Sequence, residues 1–527
     1  GASVPGPPPN VEEVTDEINA KTLLFESRME GGNLGRAVQV HVHEYDLYLM
    51  PDINSRAAHS GGNTQWYYFG VTNMEADVEY KFNIMNLLKP DSLYNSGMRP
   101  ALFSTANAQR GVGWTRSGVR IAYYENHLET ESAAPYYTLT FTITFPHAND
   151  VVYLAHCFPY GYGDLNALLT DLTSRPHSTR YLRMSTLCST LVGNKCPLLT
   201  ITNFASPLEE VERRRGVCVS ARVHPGETCA SWAMHGFLEF ICGHSARARV
   251  LRDNFLFKVV PMLNPDGVIS GQYRCSLSGT DLNRQWQTPC RFLHPTIHSC
   301  KQLLRLTKSA RDVVFYCDIH GHSRKTNMFM YGCTSKSPAT RLRERAFPYL
   351  LHNESLMFNY DDCNFKVQRS KDTCARVVAW KEFGISNAYT LEMSLGGGDF
   401  GEDPATQAPI HFTIEDYVDM GRLLAETLVD MYDPGRLRLD AALSELEQLH
   451  PDLKGDEGDP GEGEERIRKK KDSSGAKGKK VITGRSKLAG GAAGAAREPK
   501  ASLPVAATKP KKAGMEGNKR PLAQVKK

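Results

Sequence analysis

The first part of the chain alternates short apolar runs with turn-forming residues. Between residues 23 and 162 these runs are rich in aromatic and β-branched side chains, and Gly, Asn, Asp and Pro separate them. The runs lie at 38–49, 65–71, 78–84, 120–124 and 136–145. Short strands at such spacing predict an antiparallel β-sandwich. No set of side chains suited to catalysis occurs in these runs, which favours a scaffold or a positioning role.

After residue 163, near-continuous apolar runs alternate with segments of helical periodicity. The apolar runs lie at 217–223, 256–260, 313–319 and 389–393. Because such runs are typical of strands that helices cover on both faces, they predict an α/β fold. The clearest helix is predicted at 413–431, where Thr413 and Asp416 form a capping box and Tyr417, Leu424 and Leu428 share one face.

These changes of pattern divide the chain into five predicted segments. We expect a flexible lead-in at 1–20, a β-sandwich domain at 21–163, an α/β domain at 164–433, an amphipathic helix within 434–450, and a disordered tail at 451–527. The tail is first acidic and rich in Gly and Pro, then rich in Lys. Such a composition buries too little apolar surface to fold.

The formal net charge of +5 conceals two parts of opposite sign. Residues 466–527 contain 19 Lys and Arg against 3 Asp and Glu, a net charge of +16, so residues 1–465 carry −11. A basic tail attracts polyanions such as acidic protein tails, RNA or anionic lipid, but a role in solubility or localisation gives the same composition. The scarcity of aromatic residues in the tail disfavours nucleic acid. No GxxxxGK[ST] loop occurs, so we expect no nucleotide binding.

The cysteines and the apolar runs indicate the cellular compartment in which the protein is expected. Thirteen cysteines between Cys157 and Cys374 form no CxxC pair, and many lie inside apolar runs. We expect reduced thiols of a cytosolic protein, without a disulfide framework or a cysteine zinc site. No apolar stretch approaches the roughly 20 residues that cross a bilayer, and no signal peptide opens the chain. A soluble protein without membrane contact is therefore expected.

Each of the four predicted α/β strands leads to polar residues at its C-terminal end. In chain order these are His224-Pro225-Gly226-Glu227, Asn264-Pro265-Asp266-Gly267 with Asp281-Leu282-Asn283-Arg284, Asp318-Ile319-His320-Gly321-His322, and Tyr389-Thr390-Leu391-Glu392. The ends of such strands meet at one edge of a sheet, so one crevice would collect these side chains.

His224 and Glu227 are the first candidates for a metal site. They stand three residues apart where a strand passes into a helix, so both side chains can reach one cation. A neutral imidazole and a carboxylate suit zinc. A solvated turn with an incidental histidine gives the same pattern, so these two residues alone leave both interpretations open.

Taken in this order, the motifs resemble those of the zinc carboxypeptidases, specifically the cytosolic carboxypeptidases that shorten glutamate chains on tubulin. The resemblance covers residues 23–433 and includes, in the β-rich part, Phe25-Glu26-Ser27, Gly32-Asn33-Leu34-Gly35, Gln65-Trp66-Tyr67-Tyr68-Phe69 and Cys157-Phe158-Pro159-Tyr160. It implies a mixed, mainly parallel sheet flanked by helices. Gly226 stands where digestive relatives carry Arg, a departure that the cytosolic group shares.

The resemblance implies a metal site with one Zn2+ per chain. His224, Glu227 and His320 would be its ligands, and a fourth position would stay open for water. Glu392 would be the base, because a carboxylate at the end of an apolar strand is costly unless it is used. A core histidine at His320 and a structural salt bridge at Glu392 are the alternatives. His322 is expected not to be a ligand but to support one at most.

The resemblance also implies residues that bind the substrate. Arg284 and Asn283 would hold its terminal carboxylate, and Arg274 would stabilise the oxyanion. Arg376, and after it Lys371, would recognise the side chain of a terminal glutamate. Surface charges and a solvated basic loop are the competing interpretations.

We therefore expect a metallocarboxypeptidase that removes C-terminal glutamates from polyglutamylated or acidic-tailed proteins, with tubulin as the expected partner. Its location would be the cytoplasm, in association with microtubules, a cilium or a flagellum. Two other functions stay open: a zinc amidohydrolase that acts on small N-acyl amino acids, and a microtubule-binding protein with a relic catalytic domain. The long β-rich part disfavours the first, and the complete set of ligands with Glu392 disfavours the second.

Overall fold

The computed structural model of the chain describes residues 22–55, 63–130, 133–335, 342–402 and 409–451. These residues belong to one compact unit. The predicted lead-in at 1–20, and the predicted disordered tail beyond residue 451 with its basic runs, lie outside the described residues. The division of the chain into five segments stays a prediction.

Two five-stranded sheets face each other in the N-terminal part. Their strands are β1 Leu24–Glu26, β2 Arg36–His41, β3 Glu44–Tyr48, β4 Tyr68–Thr72, β5 Glu79–Leu87, β6 Ala101–Ser104, β7 Thr115–Arg116, β8 Val119–Glu129, β9 Pro135–Thr144 and β10 Val152–Ala155. The first sheet has the order β1-β4-β10-β6-β7 and the second β2-β3-β5-β9-β8. Aromatic rings fill the space between the sheets: Phe25 of the first lies 5.4 Å from Tyr45 and 6.4 Å from Phe82 of the second, between ring centroids.

One pair of strands departs from the predicted antiparallel arrangement. β3 and β5 run parallel, with Tyr45 opposite Phe82. β4, which lies between them in sequence, belongs to the other sheet, so the chain crosses over before it returns in the same direction. The sandwich is as predicted, but its wholly antiparallel pairing is wrong at this position. The 3-10 turn at Leu93–Ser96 and the short helix α1 at Thr105–Ala108 also belong to this part.

A seven-stranded sheet forms the second part of the fold. Its strands are β11 Leu182–Ser189, β12 Lys195–Ile201, β13 Arg215–Ala221, β14 Phe255–Val260, β15 Val313–His322, β16 Met328–Tyr331 and β17 Asn387–Ser394, in the order β11-β12-β14-β13-β15-β17-β16. The four predicted strands correspond to β13, β14, β15 and β17, which run parallel at the centre. The outer pairings are antiparallel, so the sheet is mixed. β18 Gly397–Glu402 and β19 Pro409–His411 form a separate two-stranded sheet.

Helices cover both faces of the seven-stranded sheet. They are α2 Tyr162–Ser174, α3 Leu208–Arg213, α4 Cys229–Ile241, α5 Ala246–Asn254, α6 Pro265–Ile269, α7 Pro295–Ala310, α8 Arg343–Glu354, α9 Ala375–Phe383, α10 Ile414–Tyr432 and α11 Leu437–Leu449. Successive residues of β13 pack into the two hydrophobic cores on opposite faces of the sheet. Val217 and Val219 pack on the side of α4, α8 and α10, and Cys218 packs on the side of α7 and α9. This two-sided burial explains why the strand is apolar throughout.

α4 and α10 lie in close contact because each has a glycine at the crossing. A Cβ at Gly421 would lie 1.7 Å from the Ala233 carbonyl oxygen, and a Cβ at Gly236 would lie 1.9 Å from that of Val418. α10 begins with the predicted capping box, in which Thr413 and the Asp416 carboxylate bond reciprocally. The packing fixes α4, whose first turn adjoins the site described below.

The thirteen cysteines are all free, and ten of them are buried. The structure contains no disulfide among these thirteen cysteines, all of which lie in the described residues. No helix among the described residues is long and apolar enough to cross a lipid bilayer.

Candidate active site

The turn between β13 and α4 carries His224 and Glu227. Behind this turn lies the buried guanidinium of Arg222, a residue with a positive φ of 58°. Arg222 donates to the carbonyl oxygen of Pro225 at 2.7 Å and to that of Tyr160 at 3.0 Å. These bonds hold the turn that carries the two candidate ligands.

Gly226 is required because the turn lies directly against Tyr273. The Gly226 amide donates to the Tyr273 carbonyl oxygen at 2.7 Å. A Cβ at position 226 would lie 2.5 Å from the Tyr273 ring, well inside contact distance. An arginine, as in the digestive relatives, would therefore push the turn away from Tyr273.

Three buried side chains bring their donor atoms together at the C-terminal ends of β13 and β15. Glu227 lies between two imidazoles: its Oε1 is 2.7 Å from His224 Nδ1, and its Oε2 is 2.9 Å from His320 Nδ1. The centroids of the two imidazole rings are 4.9 Å apart. One donor atom from each residue lies within 4.8 Å of the other two. The structure thus brings together the three residues predicted as metal ligands.

The second nitrogen of each imidazole faces a carboxylate. Asp281 Oδ1 lies 3.0 Å from His224 Nε2, and Asp318 Oδ2 lies 2.7 Å from His320 Nε2. The Ser220 hydroxyl donates to the other Asp318 oxygen at 2.7 Å. Carboxylates in this position fix the imidazole tautomer and make the remaining nitrogen a better metal ligand. Both Nδ1 atoms are therefore directed at the donor cluster.

The charges of the cluster stabilise one another. Burial alone would raise the pKa of Glu227, but His224 and His320 outweigh burial and hold this pKa well below its usual range. Burial likewise opposes the protonated form of His320, yet Asp318 and Glu227 raise its pKa well above the usual value. Protons and a metal ion compete for the same imidazole nitrogens, so a falling pH weakens metal binding.

This donor set fits zinc. Two imidazole nitrogens and one carboxylate oxygen are a ligand set that hydrolytic zinc sites use, and a fourth position stays open for water or substrate. The carboxylates of Asp281 and Asp318 supply the support that such ligands ordinarily have. His224, Glu227 and His320 would hold the ion.

Glu392 lies beside the cluster on β17, where it pairs across the sheet with His320. Its carboxyl group faces the same cavity. Burial is the main reason that the pKa of Glu392 is raised to about 8. The positive charge of His320 opposes this shift, and the negative charge of Glu227 adds to it. A carboxyl group that titrates near neutral pH can both accept and donate a proton.

Arg274 reaches the cluster from the segment that follows α6. Its guanidinium pairs with Asp281, with 2.8 Å between Nη2 and Oδ2, and its Nη1 lies 4.0 Å from Glu227 Oε1. Burial works against the charge, but Asp281 and Glu227 raise the pKa of Arg274 above its ordinary value. The group is thus a fixed cation next to the candidate metal ligands.

Asn283 and Arg284 lie in the 3-10 turn that follows Asp281. Asn283 is buried: its Oδ1 accepts a hydrogen bond from the Ala375 amide at 3.0 Å, and its Nδ2 lies 3.3 Å from His320 Nε2. Arg284 Nη1 donates to the Asn283 carbonyl oxygen at 3.0 Å. Both side chains line the cavity, Arg284 with 29% of its side chain exposed.

Arg376 and Lys371 both line the cavity. Arg376 is buried, donates to Thr390 Oγ1 at 3.2 Å, and has its guanidinium carbon 5.5 Å from the centroid of the Tyr331 ring. Its Nε has no hydrogen-bond partner among the described residues. Lys371 is half-buried, and burial together with the charge of Arg284 lowers its pKa.

All nine residues predicted for the site line one cavity of about 770 Å³. Eight basic side chains line it: Lys89, Arg274, Arg284, Arg324, Lys325, Lys366, Lys371 and Arg376. Four acidic side chains line it as well; of these, Glu227 belongs to the donor cluster and Glu392 lies beside it. The excess of positive charge favours an anionic ligand. His322 also lines the cavity but stays outside the donor cluster, since its Nδ1 accepts from the Lys325 amide at 2.9 Å.

Two family models match the chain. The zinc carboxypeptidase model matches residues 166–400, and the model of the cytosolic carboxypeptidase N-terminal domain matches residues 25–157. Over residues 166–400 the chain belongs to the zinc carboxypeptidases. The resemblance noted in the sequence is thereby confirmed, and the nine residues predicted for the site all fall within the first match. The two facing sheets coincide with the second match.

This zinc carboxypeptidase is similar to several curated relatives. Cytosolic carboxypeptidase 2 of Homo sapiens is 45% identical over 430 residues, which are 81% of this chain and 46% of the relative. Cytosolic carboxypeptidase 3 of Mus musculus is 44% identical over 439 residues, 82% of this chain and 42% of the relative. The chain spans about half the length of the curated relatives it matches.

Solved structures agree with the fold. A metallo-carboxypeptidase from Burkholderia cenocepacia has a TM-score of 0.62 at 21% identity, over 78% of this chain and 99% of that chain. A metallo-carboxypeptidase from Pseudomonas aeruginosa has a TM-score of 0.60 at 19% identity, over 79% of this chain and all of that chain. The predicted α/β sheet flanked by helices, preceded by a β-rich part, is confirmed.

Sequence reasoning missed several side chains that support or line the candidate site of this zinc carboxypeptidase. Asp318 stands two residues before His320, on the same face of one strand, so its local spacing carried a usable signal. Asp281 likewise begins the motif in which only Asn283 and Arg284 received predicted roles. Lys89 and Asn63 reach the cavity from the N-terminal part, and no local pattern indicates that.

Proposed function

We propose that the chain is a zinc-dependent metallocarboxypeptidase that removes C-terminal glutamates from polyglutamylated or acidic-tailed proteins, with tubulin as the expected substrate. One observation supports glutamate as the terminal residue that the enzyme releases. Arg376 is buried and forms no ion pair with a carboxylate of the described residues, although it lines the cavity that holds the donor cluster. A buried charge without a partner is costly. The side-chain carboxylate of a terminal glutamate would supply that partner.

The basic side chains have separate roles in binding the substrate. Arg284 would bind both oxygens of the terminal carboxylate, with the Asn283 amide as a further donor. Arg376, with Lys371 nearby, would bind the side-chain carboxylate. A site that holds the chain terminus in this way cleaves one residue at a time from the end.

The remaining residues have roles in the chemical step. When bound, zinc supplies Lewis-acid activation of water and of the scissile carbonyl. Glu392 accepts a proton from the attacking water and delivers it to the amine nitrogen as the C–N bond breaks. Arg274 stabilises the negative charge that develops on the carbonyl oxygen. The products are free glutamate and a protein chain shortened by one residue.

The expected partners and location follow from this activity. The relatives are named cytosolic carboxypeptidases, which supports the cytoplasm as the location of this chain. A tubulin substrate would bring it to microtubules, a cilium or a flagellum. The basic residues at 466–527 would add an electrostatic contact to a polyanion. Neither a membrane nor a nucleotide is proposed as a partner.

The two competing functions have less support. A small N-acyl amino acid would leave much of the 770 Å³ cavity and its outer cations unused. A relic domain has no need to keep three ligands together with the carboxylates of Asp281 and Asp318 behind them. Both considerations favour the carboxypeptidase.

The test uses purified, zinc-loaded protein and peptides that differ only in the last residue: Glu, Gln, Tyr or Lys. Glu should be released fastest, and a zinc chelator should stop the release. Glu392→Gln should lower kcat by about 100-fold or more while zinc stays bound, as measured by metal analysis. Release that is unaffected by Glu392→Gln would contradict the enzyme. Equal release of Glu and Gln would contradict the choice of glutamate, and so would an unchanged preference in Arg376→Met.

A further inference from the structure

Lys89 reaches the active-site cavity from the N-terminal part of the chain. It lies two residues beyond β5, and its carbonyl oxygen accepts a hydrogen bond from the Tyr123 hydroxyl of β8 at 2.5 Å. Its side chain crosses to the α/β part, where the ammonium group donates to the Tyr273 hydroxyl and to Ser323 Oγ, the latter at 2.7 Å. The ammonium nitrogen also lies 4.4 Å from the centroid of the Tyr273 ring.

The charge of Lys89 is fixed in place but not neutralised. An ammonium group has three N–H donors, and two hydroxyl groups account for two of them. No carboxylate among the described residues forms an ion pair with Lys89, whereas Arg274 pairs with Asp281 and Lys325 lies 3.6 Å from Asp362. A lysine that is already immobilised loses little entropy when it binds an anion. Lys89 is therefore prepared to receive a carboxylate in the cavity.

The part of the cavity wall around Lys89 differs from the part assigned to the terminal residue. Asn283, Arg284 and Arg376 line the latter part, which is called the terminal-residue wall. On that other wall, the hydrogen bond from the Ala375 amide to Asn283 joins the turn of Arg284 to the start of α9. Lys89 instead contacts Tyr273, which precedes Arg274, and Ser323, which follows β15. The substrate chain must leave the donor cluster away from the terminal-residue wall. The wall of Lys89 offers it a fixed cation.

We propose that Lys89 binds the side-chain carboxylate of an acidic residue on the amino-terminal side of the scissile bond. This assignment rests on the proposed function, because it takes the last residue to lie at Arg284 and Arg376. The enzyme then prefers a terminal glutamate that follows another acidic residue. The N-terminal β-rich part thereby sets specificity as well as supporting the catalytic part.

The experiment compares two peptides that both end in Glu and carry either Glu or Gln at the preceding positions. Wild-type protein should have a higher kcat/KM for the Glu peptide. In Lys89→Met the ratio of the two kcat/KM values should fall about tenfold, the loss expected for one charged hydrogen bond. Lys89→Arg should keep most of the ratio. Lys81→Met removes the same charge from an exposed position of β5, and it should leave the ratio unchanged.

An unchanged ratio in Lys89→Met would overturn the proposal. This includes an equal loss of activity on both peptides, which a purely structural role through Tyr273 and Ser323 predicts. If wild-type protein releases no glutamate from either peptide, the proposed function fails, and binding of the same peptides to zinc-loaded protein decides about Lys89. A tenfold weaker Kd in Lys89→Met, confined to the Glu peptide, supports the assignment. Equal Kd values in the two proteins overturn it.

Discussion

At the scale of single residues, Asp318 determines how strongly His320 can bind a metal. The carboxylate is fully buried, with His320 Nε2 on one oxygen and the Ser220 hydroxyl on the other. A negative charge in this position stabilises the proton on Nε2 and increases electron density at Nδ1. Because water is excluded, this charge is not screened as it would be at the surface.

Replacing Asp318 by Asn keeps the shape of the side chain and removes its charge. We expect zinc affinity to fall by about 10- to 100-fold, because His320 becomes a weaker ligand. Competition with a chromogenic chelator measures this affinity. Asp312→Asn is the matched control, since Asp312 precedes the same strand, is 65% exposed and pairs with Lys308. Equal zinc affinity in Asp318→Asn and in the control would contradict the role given to Asp318.

Sequence patterns predict which side chains form a site better than they predict the hydrogen bonds and contacts that hold those side chains in place. His224, Glu227, His320 and Glu392 could be singled out because each lies in or just after an apolar run, where a polar residue is conspicuous, and the resemblance then implied their roles. The hydrogen bond that holds Asn283 to Ala375 could not be predicted, because it joins residues 92 positions apart. Nor could the contact of Gly226 with Tyr273, which depends on how two loops approach each other.

At the scale of structural elements, a loop of the N-terminal part holds the segment that carries Arg274. The buried carboxylate of Asp52 accepts hydrogen bonds from three successive amides, those of Tyr273 at 2.6 Å, Arg274 at 2.8 Å and Cys275 at 2.7 Å. Asn33 Nδ2 adds a bond to the Gly271 carbonyl oxygen at 3.1 Å. Arg274 is therefore positioned by residues more than 200 positions earlier in the chain.

Asp52→Asn should disturb Arg274 without touching the donor cluster. An amide offers one acceptor oxygen in place of two, so at least one buried N–H loses its partner, at a cost of about 1–3 kcal/mol. We expect kcat on a Glu-ending peptide to fall between about tenfold and 100-fold, with a smaller change in KM, because Arg274 acts on charge that develops during the reaction. Asp46→Asn, on β3 and bonded to Asn83, is the control. An unchanged kcat in Asp52→Asn would refute the positioning role.

Strands that are more completely buried were easier to predict from the sequence. β13, β14, β15 and β17 are buried on both faces, so their sequences are mostly apolar and do not alternate with polar residues along the strand. β11 is largely exposed and β16 has four residues, so neither gives a clear period. The parallel pairing of β3 and β5 depends on β4 joining the other sheet, which alternation along a strand does not encode.

At the scale of the whole molecule, charge is divided between an acidic body and a basic cavity. Residues 1–465 carry a net charge of −11, yet eight basic and four acidic side chains line the cavity. An acidic protein tail is therefore repelled by the body and attracted at the mouth of the cavity. Because charges are screened beyond about 8 Å at physiological ionic strength, the cavity dominates for a tail that has already entered it.

Salt should therefore affect binding of the acidic substrate more than the chemical step. When NaCl is raised from about 0.05 to about 0.5 M, KM for a Glu-rich peptide should increase several-fold, because exposed cations such as Lys325 are screened. The change in kcat should be small, since Glu392 and Arg274 act beside the donor cluster, where Arg274 is already paired with Asp281. A peptide with one terminal Glu preceded by neutral residues should show a weaker increase in KM. Equal salt dependence of the two peptides would mean that only the buried cations near the donor cluster bind the acidic chain.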